Sequence, residues 1–204
     1  MAARNPNLDV DRLANSSRRG FSLVEMLIVA AILGILAALA LPYLSANVPD
    51  QLEAAAQVVA GDVEYVRGLA VASNSNFKLT FDKANNLYTY QHTGTNPALN
   101  TLPSSPFHTA NAAGTVMTQS LAKLPLLNVS IRLSAIQQNP AAPSDVTDLE
   151  FNNLGATTRS LATLIWLCSD SAGTRLYIPI EVNPTTGLVT VGNVQAATPS
   201  GITP

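Results

Sequence analysis

The apolar positions of this chain change their spacing twice. From Phe21 to Leu41 they are nearly continuous, Met26 to Leu41 has no polar stripe, and Pro42 closes the run. From about Pro49 to Ser73 they recur at helical spacing, as Leu52, Ala56, Val59, Val63, Val66 and Ala70. Gln51, Glu53, Gln57, Asp62, Glu64 and Arg67 fall mostly on other faces, so an amphipathic helix over 49–73 should pack on a sheet. Beyond Asn74-Ser75-Asn76 the period drops to two. Residues 77–81 and 87–91 predict a hairpin, and further strands are predicted over 116–121, 128–136, 149–151 and 161–168. Residues 176–182 and 188–191 predict a last hairpin through Asn183–Gly187, with Pro179 marking an edge or irregular strand. The polar stretch 92–114 carries Pro97, Pro103 and Pro106 and predicts a long, mobile loop insertion. Residues 137–144 read as another loop, and 193–204 as a flexible tail.

The pattern gives an α+β chain: a long N-terminal hydrophobic helix, serving as membrane anchor and spine, then an antiparallel β-sheet head over 74–192. Phe21 to Leu41 is about 21 residues, or roughly 30 Å of helix, which matches a bilayer core. A buried core helix would show a polar stripe. A secretory signal finds an A-x-A-like site at Ala38-Leu39-Ala40, but the apolar run is longer than an ordinary h-region and includes Glu25. The anchor reading fits the flanks best. Arg18 and Arg19 abut one end, Tyr43 and a weakly charged segment follow the other, and the positive-inside rule keeps the N-terminus cytoplasmic. An acid at this depth is costly and calls for a partner.

Gly20-Phe21-Ser22-Leu23-Val24-Glu25-Met26-Leu27, preceded by Arg18-Arg19, resembles the prepilin cleavage and methylation motif of type IV pilins and type II secretion pseudopilins. The resemblance implies a pilin-like fold and a cleaved leader over 1–20. A prepilin peptidase/N-methyltransferase would cut between Gly20 and Phe21 and methylate the new Phe21 amine. Glu25 then becomes the fifth mature residue. Inside a bundle of apolar helices it could neutralise the Phe21 amine of a neighbour, and that pair would set register. Gly34 and Pro42 are helix weak points where assembled pilins often unwind.

The head carries a second resemblance, to the GspH/FimT group of minor pseudopilins and minor pilins. It rests on the helix feeding a hairpin, Leu149-Glu150-Phe151…Gly155, Leu167-Cys168-Ser169 and the hairpin around Asn183 to Gly187. It implies a minor pseudopilin of a type II secretion system, with a minor type IV pilin as the alternative. The implied place is a single pass of the bacterial inner membrane with a periplasmic, extracytoplasmic head, assembled into a pilus or pseudopilus. The implied partners are other pilin or pseudopilin subunits, with secreted cargo as a further candidate. Some relatives bind DNA through arginines in the last hairpin; here Thr186 to Gly192 has no basic residue, which disfavours a nucleic-acid partner.

Charge and chemistry narrow the picture further. The leader holds four arginines against two aspartates, so with a formal net charge of −2 overall the rest is about −4. That is not the footprint of a nucleic-acid binder. Cys168 is the single cysteine, which excludes an intramolecular disulfide and reads as a buried small hydrophobe. His92 and His108 lie in the polar stretch without metal-ligand spacing and read as solvated. Asp145, Asp148 and Glu150 lack the order of a calcium loop, and no serine sits in a G-x-S-x-G elbow. The expectation is a non-enzymatic subunit without cofactor, a tethered extracytoplasmic enzyme being the reading of a different class.

Overall fold

The computed structural model describes residues 20–40, 47–124, 129–171 and 173–202. The chain divides into two compact units between Ser45 and Ala46.

The N-terminal unit holds α1, Leu23–Ala40, of 18 residues. Ser22 precedes it, and its carbonyl accepts the Met26 N–H at 3.1 Å, the first bond of the helix. Side chains from Leu23 to Leu36 are exposed on every face. Among the described residues no helix is long and apolar enough to cross a membrane: 18 residues make about 27 Å of helix against a core of about 30 Å. The span expected over 21–42 is helical from Leu23 to Ala40, and Pro42 lies outside the described residues.

The head unit opens with α2, Val48–Ala72, of 25 residues. Pro49 suits its first turn, and Asn47 Nδ2 donates to Asp50 Oδ2 at 2.6 Å across that turn. The buried face is Leu52, Ala55, Ala56, Val59, Ala60, Val63, Val66 and Ala70. At the other end Asn74, at φ +47°, takes the left-handed position. Ser75 N–H then reaches Ala70 O at 3.1 Å and Asn74 N–H reaches Val71 O at 3.2 Å, a Schellman termination.

Among the described residues ten strands follow: β1 Phe77–Asp82, β2 Leu87–His92, β3 Thr109–Ala110, β4 Val116–Ser120, β5 Ile131–Gln138, β6 Ser144–Asp145, β7 Asp148–Phe151, β8 Thr163–Ser171, β9 Thr174–Val182 and β10 Val189–Val191. They form two antiparallel five-stranded sheets, ordered β3-β4-β2-β1-β7 and β10-β9-β8-β5-β6. The fold is the expected α+β one, an N-terminal helix followed by antiparallel sheets. The inner faces of both sheets and the buried face of α2 form one core, with Leu79, Tyr88, Leu149, Phe151, Ile165, Leu167, Ile178 and Ile180 at its centre. Asn86, at φ +54° in the β1–β2 turn, ties the sheets together. Its side-chain amide donates to Ile131 O and accepts from Leu133 N–H, both at 2.8 Å, as a missing strand would.

The 92–114 stretch is mostly irregular and exposed; within it lie a 3-10 turn at Pro97–Leu99 and the strand β3, and Leu102 is buried. Two expectations are corrected. Pro179 lies on an interior strand, β9 running between β8 and β10. Its carbonyl accepts from Gly192 N–H at 2.9 Å, one residue past the end of β10, so the missing donor falls where the ladder stops. The tail expected over 193–204 is pinned in its described part, 193–202, because Gln195 exchanges two 2.8 Å backbone bonds with Tyr177 and Ile202 packs on the outer face of its sheet.

Candidate functional site

The N-terminal segment contains the residues that the sequence singles out for processing and assembly. Gly20 and Phe21 precede α1 in non-helical conformation, and Phe21 is 73 % exposed. A Cβ built on Gly20 would meet nothing within 4 Å, so the peptide after it is open on all sides. With Ser22 at the helix boundary, Glu25 is the third helical residue. There a carboxylate faces the partial positive charge of the helix start. Ser22-x-x-Glu25 also has the spacing of a capping box. Glu25 therefore favours its own helix while its side chain stays exposed to a cation supplied from outside. Gly34 lies inside the helix with open space at its Cα.

The head brings together polar groups that the sequence left scattered. His92 Nδ1 lies 2.8 Å from Asn100 Oδ1, and Nε2 lies 2.7 Å from Ser75 Oγ. Phe77 braces the ring edge-on at 5.0 Å. Asn100 Oδ1 only accepts, so the proton sits on Nδ1 and Nε2 accepts the Ser75 hydroxyl. This is the polarity of a serine–histidine relay. Gly94 is seated against it, however: a Cβ there would fall 1.9 Å from Ser75 Oγ and 2.8 Å from His92 Nε2. That leaves no room for a carbonyl beside the hydroxyl, and the trio instead fastens the end of β2 to the end of α2.

His108, also expected to be solvated, has its side chain only 6 % exposed. Its Nε2 donates to Asp62 Oδ2 at 3.0 Å, and its Nδ1 lies 2.8 Å from Ser105 Oγ. Asp62 also accepts from the Tyr88 hydroxyl. Burial first, then the Asp62 charge, pushes the Tyr88 phenol far above its ordinary range. Burial likewise raises Tyr90, whose hydroxyl has no partner. Beside this network a groove of about 570 Å³ runs between Val58, Asp62, Pro106, Phe107, Gln119, Lys123 and Leu124.

The suspected acidic cluster is dispersed: Asp145 pairs with Lys83, Asp148 with Arg159, and Glu150 accepts from Thr93 Oγ1 at 2.6 Å. Among the described residues no three His, Cys, Asp or Glu side chains could hold a metal ion. Cys168 is buried, and burial pushes its thiol up against the opposing pull of Arg132 and Arg175. Sequence reasoning passed over Arg67. Its Nε donates to Thr186 O at 3.0 Å and Gly155 O at 3.3 Å, and its Nη1 meets Glu64 Oε2 at 3.1 Å. Glu64 Oε1 accepts from Val189 N–H at 2.9 Å. The pair thereby stitches the 152–155 and 183–187 turns to α2. Its one signal was an i,i+3 ion pair on the helix flank.

Residues 15–41 match the family model of the prokaryotic N-terminal methylation motif. No curated protein matches the chain. Two crystal forms of the type IV minor pilin FimU of Pseudomonas aeruginosa (strain PAO1) are similar in part. The first is 12 % identical, over 69 % of this chain and 91 % of that one, with a TM-score of 0.39. The second is 11 % identical, over 76 % and 93 %, with a TM-score of 0.40. Likeness at that level carries no argument. The motif does: it implies processing by a prepilin peptidase and assembly with other pilins, and it points to a membrane-anchored subunit of a filament. Residues 15–41 therefore carry the prokaryotic N-terminal methylation motif.

Proposed function

We propose that the chain is a minor pseudopilin of a type II secretion apparatus: a non-catalytic subunit anchored in the bacterial inner membrane, head outside, and built into a short filament. Cleavage falls between Gly20 and Phe21, and the new Phe21 amine is methylated. The observation that carries the reading is the open Gly20–Phe21 junction leading into a helix whose side chains from Leu23 to Leu36 are all exposed. Such a helix gains from lipid and then from neighbouring subunits. In that bundle Glu25 takes the Phe21 amine of the next subunit as its partner, because neither charge is stable in hydrocarbon alone. The single cysteine and the uncharged 186–192 hairpin support a minor subunit without a DNA-binding role.

Mass spectrometry of the N-terminal peptide from the native membrane tests the processing. The expected species starts at Phe21 and carries one methyl group; an intact Met1 terminus, or one starting at Leu41, overturns it. A deletion strain scored for exoprotein release and for surface pili decides between secretion and the type IV pilus alternative. Loss of release with pili intact supports the pseudopilin, and the reverse supports the pilin.

A further inference from the structure

We propose that residues 193–202 form a detachable strap that closes a second, smaller core on the outer face of the β10-β9-β8-β5-β6 sheet. Along β8, Ile165 and Leu167 enter the main core, whereas Trp166 and Cys168 point the opposite way. Tyr177 on β9 and Ala135 on β5 join them. Ala135 does so because a bulge between Leu133 and Ala135 shifts the register, pairing Ala135 with Trp166 and Ile136 with Ile165. The four side chains form a buried cluster separate from the main core, and Ile202 of the strap packs against it.

The strap's attachments are few. Val194 packs on the main core at its start, Gln195 exchanges its two backbone bonds with Tyr177, and Gln137 Nε2 donates to Ser200 O at a long 3.3 Å. Gly201, at φ +77°, lies so close to Gln137 that a Cβ would fall 2.8 Å from Nε2. Between Gln195 and Ser200 the strap stands off the sheet. A crevice of about 390 Å³ separates Ala196 and Thr198 from Asp170, Arg175 and Tyr177. Closure also buries the Trp166 indole N–H without an acceptor, a cost that opening relieves by returning it to water. A segment with so little buried apolar surface belongs to the low end of local stability, below the sheet it covers.

The chain carries its own reporters, since Cys168 is its one cysteine and Trp166 its one tryptophan, both in the cluster on which Ile202 packs. The experiment uses the full chain in detergent and follows Cys168 modification by a small disulfide reagent as urea is raised. The expected rate at low urea depends on urea with much less than the slope of global unfolding, the signature of local opening. Ile202→Asp should raise that rate at least about 10-fold and shift Trp166 emission to the red, with the far-ultraviolet melting midpoint held. Labelling that follows the full global slope at every urea concentration overturns the strap. So does an Ile202→Asp chain that folds and labels at the unaltered rate. If Ile202→Asp fails to fold, the urea slope of the unaltered chain decides alone.

Discussion

The two long helices of this chain are built on opposite plans. α1 is apolar on every face and buries none of its described side chains; α2 keeps one apolar face and buries eight residues of it against two sheets. The first is unfinished until something outside the chain covers it, while the second is completed by its own sequence. Changes in the head should therefore be read in stability, and changes at the start of α1 in assembly. Substitutions ranked by their expected effect on the head test that division.

Ile165→Ala should cost the most. Ile165 is fully buried on β8, and such truncations cost about 2–5 kcal/mol through lost transfer energy and the cavity left behind. Urea unfolding of the head measures it, and a cost below about 1 kcal/mol would show that the shared core is not what holds the sheets to α2. Arg67→Ala should cost about 1–3 kcal/mol, because the Gly155 and Thr186 carbonyls and Glu64 all lose a partner. Arg67→Lys keeps the charge but not the forked donors and should recover less than half.

Tyr88 gives a smaller effect, visible only at alkaline pH. Its folded-state pKa lies above the unfolded value of about 10, so folding favours the neutral phenol. That contribution is fully present below about pH 10 and is lost as pH rises above it toward the raised value. Between pH 10 and 11 the unaltered head should lose about 1 kcal/mol more than Tyr88→Phe. Equal slopes for the two chains would place Tyr88 in water rather than against Asp62.

What the sequence revealed depended on whether the cause was local. The hydrophobic run, the helix over Val48–Ala72 and the hairpin of β1 and β2 each follow from periodicity within one segment. The methylation motif over residues 15–41 was legible for the same reason, its residues being contiguous. Residue type alone could not place His92, His108 and Asp62, because their partners lie 8, 46 and 26 positions away. Polar residues in a proline-bearing stretch look solvated until the fold brings partners to them, and so His92 and His108 read as solvated. Pro179 misled similarly: whether a missing N–H matters depends on where the neighbouring strand ends, and only the register of β10 decides that. Arg67 was invisible because its acceptors are backbone carbonyls of turns 88 and 119 positions away, which no side-chain pattern announces.

The smallest expected effect on the head is also the one that best separates the two helices. Glu25→Ala removes an exposed carboxylate from the first turn of α1, in the unit that does not contain the sheets. The melting midpoint of the head should not move, since surface changes away from packed groups fall within about ±0.5 kcal/mol. Membrane insertion should survive too, because losing an acid from an apolar helix makes lipid a better solvent for it. What should fail is incorporation into filaments, scored by crosslinking of processed subunits in the native membrane. Glu25→Gln, which keeps hydrogen bonding without the charge, should be intermediate. If Glu25→Ala assembles at the normal level, the carboxylate is not the partner of the Phe21 amine, and register must come from the shape of the apolar helix alone. If instead the head melts earlier, the division between a helix made for neighbours and a helix made for its own sheet does not hold.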